Sequence, residues 1–177
     1  MPIPTFRILA AVIPLQCAAM LGFSWYATRP AAPQPAPQQA DRLVVEKGAH
    51  TLTLYARGKP IHTYSVAIGP GSGPKQRQGD HRTPEGHYLV DSHNPHSAFH
   101  LSLHISYPNA DDRARALPAH QAPGGDIMIH GLPPRFAYLG ALHRATDWTD
   151  GCIAVTDKEI EEIYRLVPDR TPIDIQP

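Results

Sequence analysis

Cys152 and His130 are the residues of this sequence whose types best suit nucleophilic chemistry. A thiol becomes a useful nucleophile when a base takes its proton, and an imidazole is also able to return that proton to a leaving amine. Gly151 precedes the cysteine, and a glycine lets a substrate carbonyl approach the backbone closely. The N–H groups of Gly151 and Cys152 are then candidate donors to the oxyanion of a tetrahedral intermediate. The pattern predicts acyl transfer through a thioester.

Both residues also have purely structural interpretations. Free cysteine is among the most buried residue types, and Cys152 runs directly into the apolar Ile153 and Val155. His130 ends an apolar stretch, where a backbone carbonyl can satisfy the ring. The other cysteine, Cys17, lies in an N-terminal apolar segment, so Cys152 has no disulfide partner in the rest of the chain. An unpaired thiol in an oxidising compartment is either buried or chemically used, and the residues alone leave both open.

Residues 1–28 predict export. The stretch from Ile8 to Thr28 has no charged residue and is flanked by Arg7 and Arg29. It is long for the core of a signal peptide, suits a bilayer span and lacks a clear small-residue cleavage site. These features favour an inner-membrane anchor slightly over a cleaved signal, and both predict a periplasmic domain.

The rest of the chain is expected to be a linker and one domain. Residues 29–41 are rich in Pro, Ala and Gln and predict an extended tether, and residues 42–177 form the domain. Lys and Arg number 16, and Asp and Glu number 16, which gives a formal net charge of zero. A neutral chain without a basic run has no electrostatic basis for binding nucleic acid.

Hydrophobic alternation predicts a mostly β domain that positions the candidate residues. Runs with a period of two indicate half-buried strands, and Thr156 with Glu159 forms a capping box before an amphipathic helix. Gly69–Gly86 is a long Gly/Pro-rich loop of the kind that is usually functional or mobile. Strands are expected over Arg42–Lys47, Thr51–Ala56, Ile61–Ile68, His87–His93, Phe99–Tyr107, Asp126–Gly131, Cys152–Val155 and near the C-terminus, with a short helix over Asn109–Leu117.

Four segments resemble the L,D-transpeptidase (YkuD) catalytic domain family: GDHRTPEGHY, FHLSLHISYPN, IMIHG and TDGCIAV. The resemblance covers about residues 43–175. The family pattern is a histidine, a variable gap and then Ser/Thr-His-Gly-Cys, and His130, Thr149, Gly151 and Cys152 match it. The RTPEG segment matches the T-P-x-G element of the family.

The resemblance implies the YkuD-type β-sandwich-like fold with one or two short helices, an activity on peptidoglycan stem peptides and no metal or cofactor. It implies that Cys152 attacks the carbonyl of the L-centre of a meso-diaminopimelate–D-alanine bond. His130 is implied to protonate the departing D-alanine, and the backbone carbonyl of Gly131 to orient His130. Roles in peptidoglycan synthesis, cell wall biogenesis and cell shape follow from the same resemblance.

The acyl acceptor stays open. An amine of another stem peptide gives a cross-link, and a lipoprotein lysine or a free D-amino acid are other amine acceptors. Water makes the enzyme an L,D-carboxypeptidase or an amidase that releases a wall-bound lipoprotein. A non-catalytic wall-binding module is a third hypothesis, because Asp150 replaces the usual histidine of the family and Ala154 replaces a common arginine associated with the substrate carboxylate.

Candidate substrate-binding residues lie in the two motifs and on the polar side of one strand. His100 and His104 alternate with Phe99, Leu101 and Leu103, so they face away from the apolar side. The full set of candidates is Thr149, Asp150, Arg82, Thr83, His100 and His104.

A zinc site at His93, His96, His100 and His104 is the competing interpretation of the histidines. Convergent ligands at such spacing need a helix. In a strand, His100 and His104 lie roughly 13 Å apart, at about 3.3 Å per residue. We therefore predict no metal.

Overall fold

The computed structural model describes residues 38–116 and 121–177, and every structural statement here concerns that part of the chain. Its eight strands form one mixed sheet in the order β3-β2-β1-β8-β4-β5-β6-β7. Two α-helices and a 3-10 segment accompany the sheet. The elements are β1 (Arg42–Glu46), β2 (Thr51–Ala56), β3 (Lys59–Ser65), β4 (Gly86–Ser97), β5 (His100–Ile105), α1 (Ala110–Ala116), β6 (Met128–His130), the 3-10 segment (Pro134–Ala145), β7 (Ile153–Ala154), α2 (Asp157–Leu166) and β8 (Pro172–Gln176).

Strand β4 joins the two halves of the sheet. Its first residues, from Gly86 to Leu89, pair with β8, and the residues from Val90 onward pair with β5 across register shifts. Such irregularities bend a strand and increase its twist. The long β4 therefore lets one sheet form both layers around the core.

The two ends of the strand order meet at a bridge between Ala67 and Ala154. The Ala67 N–H donates to the Ala154 carbonyl at 3.0 Å, and the Ala154 N–H donates to the Ala67 carbonyl at 2.8 Å. The predicted mostly β fold is thus confirmed, as a single sheet whose ends come together.

Helix α2 supports the site strands from inside the core. Its capping box is present, since the Thr156 side chain accepts from the Glu159 N–H and the Glu159 carboxylate accepts from the Thr156 N–H at 2.8 Å. Ile160 and Ile163 are fully buried against the apolar side of β5 and β6. The helix follows the predicted spacing because its apolar residues recur once per turn.

The 3-10 segment is the element that the sequence does not predict. It begins after Pro133 and is broken at Gly140, which has a φ of 47°. Tyr138 is 80% exposed and Leu142 is 74% exposed, so the segment shows no buried apolar stripe. Hydrophobic periodicity cannot reveal a helical segment whose large side chains face outward.

The predicted N-terminal anchor and most of the linker lie outside the described residues. Among residues 38–116 and 121–177, no helix has the length and apolar character needed to cross a membrane.

Candidate active site

Strands β6 and β7 place His130 and Cys152 on one face of the sheet. The two strands are parallel neighbours, with Ile129 beside Ile153 and His130 beside Ala154. Side chains alternate along a strand, so His130 and Ala154 share the face opposite to the buried isoleucines. Cys152 lies one residue before β7, and continued alternation from Ile153 would direct its side chain to the face of His130.

His130 is held in one tautomer by its own backbone. The ring is 3% exposed, and its Nδ1–H donates to the Gly131 carbonyl at 2.7 Å. A carbonyl oxygen only accepts, so Nδ1 carries the hydrogen of the neutral ring and Nε2 keeps its lone pair. Nε2 is therefore the atom able to accept a proton.

Burial shifts the pKa values of His130 and Cys152 in opposite directions. Burial lowers the pKa of His130, and the bond to Gly131 only partly opposes this. Burial also raises the pKa of Cys152, and the carboxylates of Asp150 and Asp126 raise it further. The pair is consequently a neutral thiol beside a neutral imidazole near pH 7. The thiol donates to the Asp126 carbonyl at 3.6 Å.

Thr149 fixes the turn that presents the cysteine. Its buried hydroxyl donates to the Cys152 carbonyl at 2.7 Å and accepts from the Gly151 N–H at 3.2 Å. The predicted substrate-binding residue thus holds the backbone of the motif. The Gly151 N–H can stabilise an oxyanion only if it gives up its hydrogen bond to Thr149 and donates to the substrate oxygen instead.

The loop between β3 and β4 packs on the same turn. Thr83 is fully buried, and its hydroxyl accepts from the Gly69 N–H at 3.0 Å. The Arg82 guanidinium donates to the Pro74 carbonyl at 3.4 Å, and the Arg82 carbonyl lies against Gly151. In this conformation both side chains shape the loop beside the cysteine.

The two departures from the family pattern have different surroundings. Asp150 is exposed and bonds the His81 ring at 2.6 Å, a partner that the sequence analysis does not identify. Ala154 is fully buried at the bridge to Ala67, so no side chain there reaches the substrate cleft. The carboxylate of Asp150 and the ring of His81 therefore face solvent close to the cysteine turn.

The candidate histidines of β5 have separate environments. His104 bonds Asp91 at 2.6 Å and lies 4.0 Å from the carboxylate of Asp126, whose carbonyl accepts from Cys152. His100 bonds Glu161 of α2 at 2.8 Å and has no contact of this kind with the cysteine. Within the described residues, no cluster of three or more His, Cys, Asp or Glu side chains could hold a metal.

A family model for the L,D-transpeptidase catalytic domain, YkuD, matches residues 40–175. The chain belongs to this family. Escherichia coli K12 YafK, which bears the name "Putative L,D-transpeptidase YafK", is 34% identical over 128 residues, 68% of this chain and 44% of that protein. The chain therefore spans less than half the length of the curated relatives it matches.

Solved structures share the fold. The helical cell shape determining protein Pgp2 from Campylobacter jejuni superposes with a TM-score of 0.60 at 22% identity, covering 78% of this chain and 48% of that one. An L,D-transpeptidase from Mycobacterium smegmatis superposes with a TM-score of 0.52 at 16% identity, covering 78% of this chain and 59% of that one.

In this member of the family an apolar groove of about 890 Å³ opens beside the histidine. Phe99 and Trp148 line it, and both rings also contact His130. The 3-10 segment supplies most of the remaining wall, including the exposed Phe136 and the buried His143. The groove therefore adjoins the residue that would exchange protons with an amine.

Proposed function

We propose that this protein is a cysteine-dependent L,D-transpeptidase acting on peptidoglycan stem peptides. The observation that carries the proposal is the hydrogen bond from His130 Nδ1 to the Gly131 carbonyl at 2.7 Å. It leaves Nε2 as a proton acceptor on the sheet face that also bears Cys152. Family membership and the unpaired thiol of Cys152 support the same assignment.

Acylation starts from the neutral pair. The S–H turns from the Asp126 carbonyl towards His130, and Nε2 takes the proton while Sγ attacks the carbonyl of the meso-diaminopimelate L-centre. The Cys152 N–H, together with the Gly151 N–H once it is released from Thr149, stabilises the oxyanion. The C–N bond then breaks, His130 returns the proton to the departing D-alanine amine, and a thioester remains on Cys152.

Transfer reverses the proton path. An acceptor amine attacks the thioester carbonyl, its proton passes to His130 Nε2, and the C–S bond breaks as Sγ recovers a proton. The acceptor is the amine of a second stem peptide, a lipoprotein lysine or a free D-amino acid. If water takes this place, the same residues perform hydrolysis, which releases a free carboxylate and no new amide.

The proposal places the enzyme in the periplasm. The uncharged run from Ile8 to Thr28 would export the chain or anchor it in the inner membrane, and residues 29–41 would tether the catalytic domain towards the wall. The domain itself is proposed to span residues 42–177.

Digestion of muropeptides followed by mass spectrometry tests the function. The purified full chain should release D-alanine and form dimers or adducts with an added amine. Cys152→Ala should lower both by at least about 10³-fold, as the loss of a nucleophile does in other acyl transferases. Cys17→Ala is the matched control and should keep full activity. Persistent turnover by Cys152→Ala contradicts the nucleophile assignment, and release without any adduct identifies a hydrolase.

A further inference from the structure

His130 lies between two aromatic rings. The Phe99 ring centroid is 4.4 Å from that of His130, and the Trp148 ring is edge-on at 5.8 Å. These rings exclude water from the imidazole and restrict its rotation. The two properties matter for a general base, because burial keeps the ring neutral and a fixed ring keeps Nε2 directed at one place.

Trp148 is oriented by a second histidine. The indole Nε1–H donates to His143 Nδ1 at 3.4 Å, and the two rings are nearly perpendicular, at 84°. An indole N–H only donates, so Nδ1 of His143 must be the unprotonated nitrogen. Trp148 is 37% exposed, and a ring at the surface has few other restraints on its orientation.

His143 is buried although one of its ring nitrogens has no hydrogen-bond partner among the described residues, which is unfavourable for a polar side chain. It is 6% exposed, and its Nε2 has no hydrogen-bond partner within the described part of the chain. A buried polar atom without a hydrogen-bond partner destabilises the folded state, because it has lost its bonds to water. A hydrophobic residue would avoid that cost, so the bond from Trp148 is the contact that requires a histidine here.

We propose that His143 is a positioning residue for acyl transfer, which acts by fixing Trp148 against His130. The bond sets the plane of the indole, and the indole together with Phe99 keeps water away from the general base. This inference rests on the proposed function, because His130 must act as a base for its environment to affect turnover.

The charges around His143 keep the bond intact over the working pH range. The pKa of His143 is lowered to about 4, mainly by burial. Arg144 and His130 contribute to the lowering, and Glu159 and Asp157 of α2 oppose it. Above that pH, Nδ1 is free to accept from Trp148. Protonation at lower pH places a hydrogen on Nδ1 and abolishes the bond.

Three variants of the full chain test the inference. Trp148→Phe keeps an aromatic ring but lacks the N–H, and His143→Leu lacks the acceptor. His143→Asn is the matched control, because its side-chain oxygen can take the place of Nδ1. The pKa of His130 is followed by NMR titration of the labelled imidazole, and D-alanine release is measured between pH 5 and pH 8.

We expect Trp148→Phe and His143→Leu to raise the His130 pKa towards about 6.5, the value of an unburied histidine. The acidic limb of the activity profile should move to higher pH, because the imidazole of His130 then becomes neutral only at a higher pH. Activity is therefore lost at pH 5 and much less at pH 8, and His143→Asn stays close to the wild type.

Unchanged His130 titration in both Trp148→Phe and His143→Leu overturns the inference. An equal loss at every pH in all three variants also overturns it, because that result indicates a general structural role. Should His143→Leu fail to fold, Trp148→Phe carries the test, since its ring position is partly exposed. The titration needs no turnover, so an inactive wild type with shifted variants refutes the proposed function alone.

Discussion

At the scale of single residues, burial and nearby charges set the pKa of Cys152. Burial is the main cause of the raised Cys152 pKa, and Asp150 and Asp126 add to it, while Lys75 opposes them. Asp150 occupies the position where the family usually carries a histidine. The net effect of these groups is to favour the protonated thiol.

Removing the charge of Asp150 should make the thiol more reactive. In Asp150→Asn the carboxylate no longer raises the Cys152 pKa, so the pKa falls and more thiolate is present at a given pH. We expect the alkylation of Cys152 by iodoacetamide at pH 7.5 to accelerate roughly two- to fivefold. Peptide mass spectrometry separates Cys152 from Cys17. Asp169→Asn, an exposed carboxylate elsewhere, is the control, and a slower or unchanged rate in Asp150→Asn contradicts the assignment.

Residue types and spacing were enough to select Cys152 and His130 as candidate nucleophile and base, because both lie within recognisable motifs. The contacts of His81 and Asp126 could not be predicted, since His81 bonds Asp150 from 69 positions earlier in the chain and Asp126 accepts from Cys152 from 26 positions earlier. Thr83 could be located next to the site from its motif, but its full burial could not. Tertiary packing alone decides whether a loop hydroxyl faces substrate or backbone.

At the scale of elements, the cysteine turn and the loop between β3 and β4 are fitted together at Gly151. Its φ is 114°, and a Cβ atom added to it would lie 2.5 Å from the Arg82 carbonyl oxygen. The glycine is thus required for two separate reasons, the backbone conformation and the close approach of the loop.

Gly151→Ala should therefore destabilise the fold more than a comparable change without the clash. Gly58 has a φ of 73° and no atom within 4 Å of an added Cβ, so Gly58→Ala measures conformational strain alone. We expect Gly58→Ala to cost about 1 kcal/mol and Gly151→Ala more than about 2 kcal/mol of unfolding free energy. Urea denaturation measures both, and equal costs would show that the loop yields to the new methyl group.

Alternation and capping residues made the strands and α2 predictable, since both signals are local to each element. These signals could not predict the 3-10 segment, because the exposed Tyr138 and Leu142 interrupt any amphipathic pattern. The same segment forms most of the groove wall beside His130, so this part of the candidate site has the weakest sequence signal.

At the scale of the whole molecule, a buried ion pair links stability to pH. Burial disfavours the charged form of Asp80, but hydrogen bonds from Lys75 and from the N–H groups of Gln76, Arg77 and Arg82 outweigh it and lower the Asp80 pKa from 3.8 to about 2. Because the folded-state pKa is below the unfolded one, the stabilisation is present above about pH 4 and disappears as the pH falls to about 2.

In Asp80→Asn the free energy of unfolding should depend less on pH between about pH 4 and about pH 2 than it does in the wild type. The variant loses roughly 1–2 kcal/mol of unfolding free energy at pH 6, and the difference from the wild type should vanish near pH 2. Urea denaturation at several pH values gives both curves. Asp169→Asn should follow the wild type, since Asp169 is exposed. A constant difference between Asp80→Asn and the wild type at every pH would exclude the ionic explanation.

The bridge between Ala67 and Ala154 has a consequence for how a peptide can enter. Many peptide-binding proteins extend a sheet by pairing an incoming chain with a free edge strand, a mode that suits extended chains of L-residues. Here the N–H and the carbonyl of Ala154 are both occupied by Ala67, so the strand that follows Cys152 offers no edge at that residue. A peptide substrate of the proposed enzyme would have to lie across the face of the sheet at this point, where side chains and loops, instead of strand pairing, would determine which peptides fit.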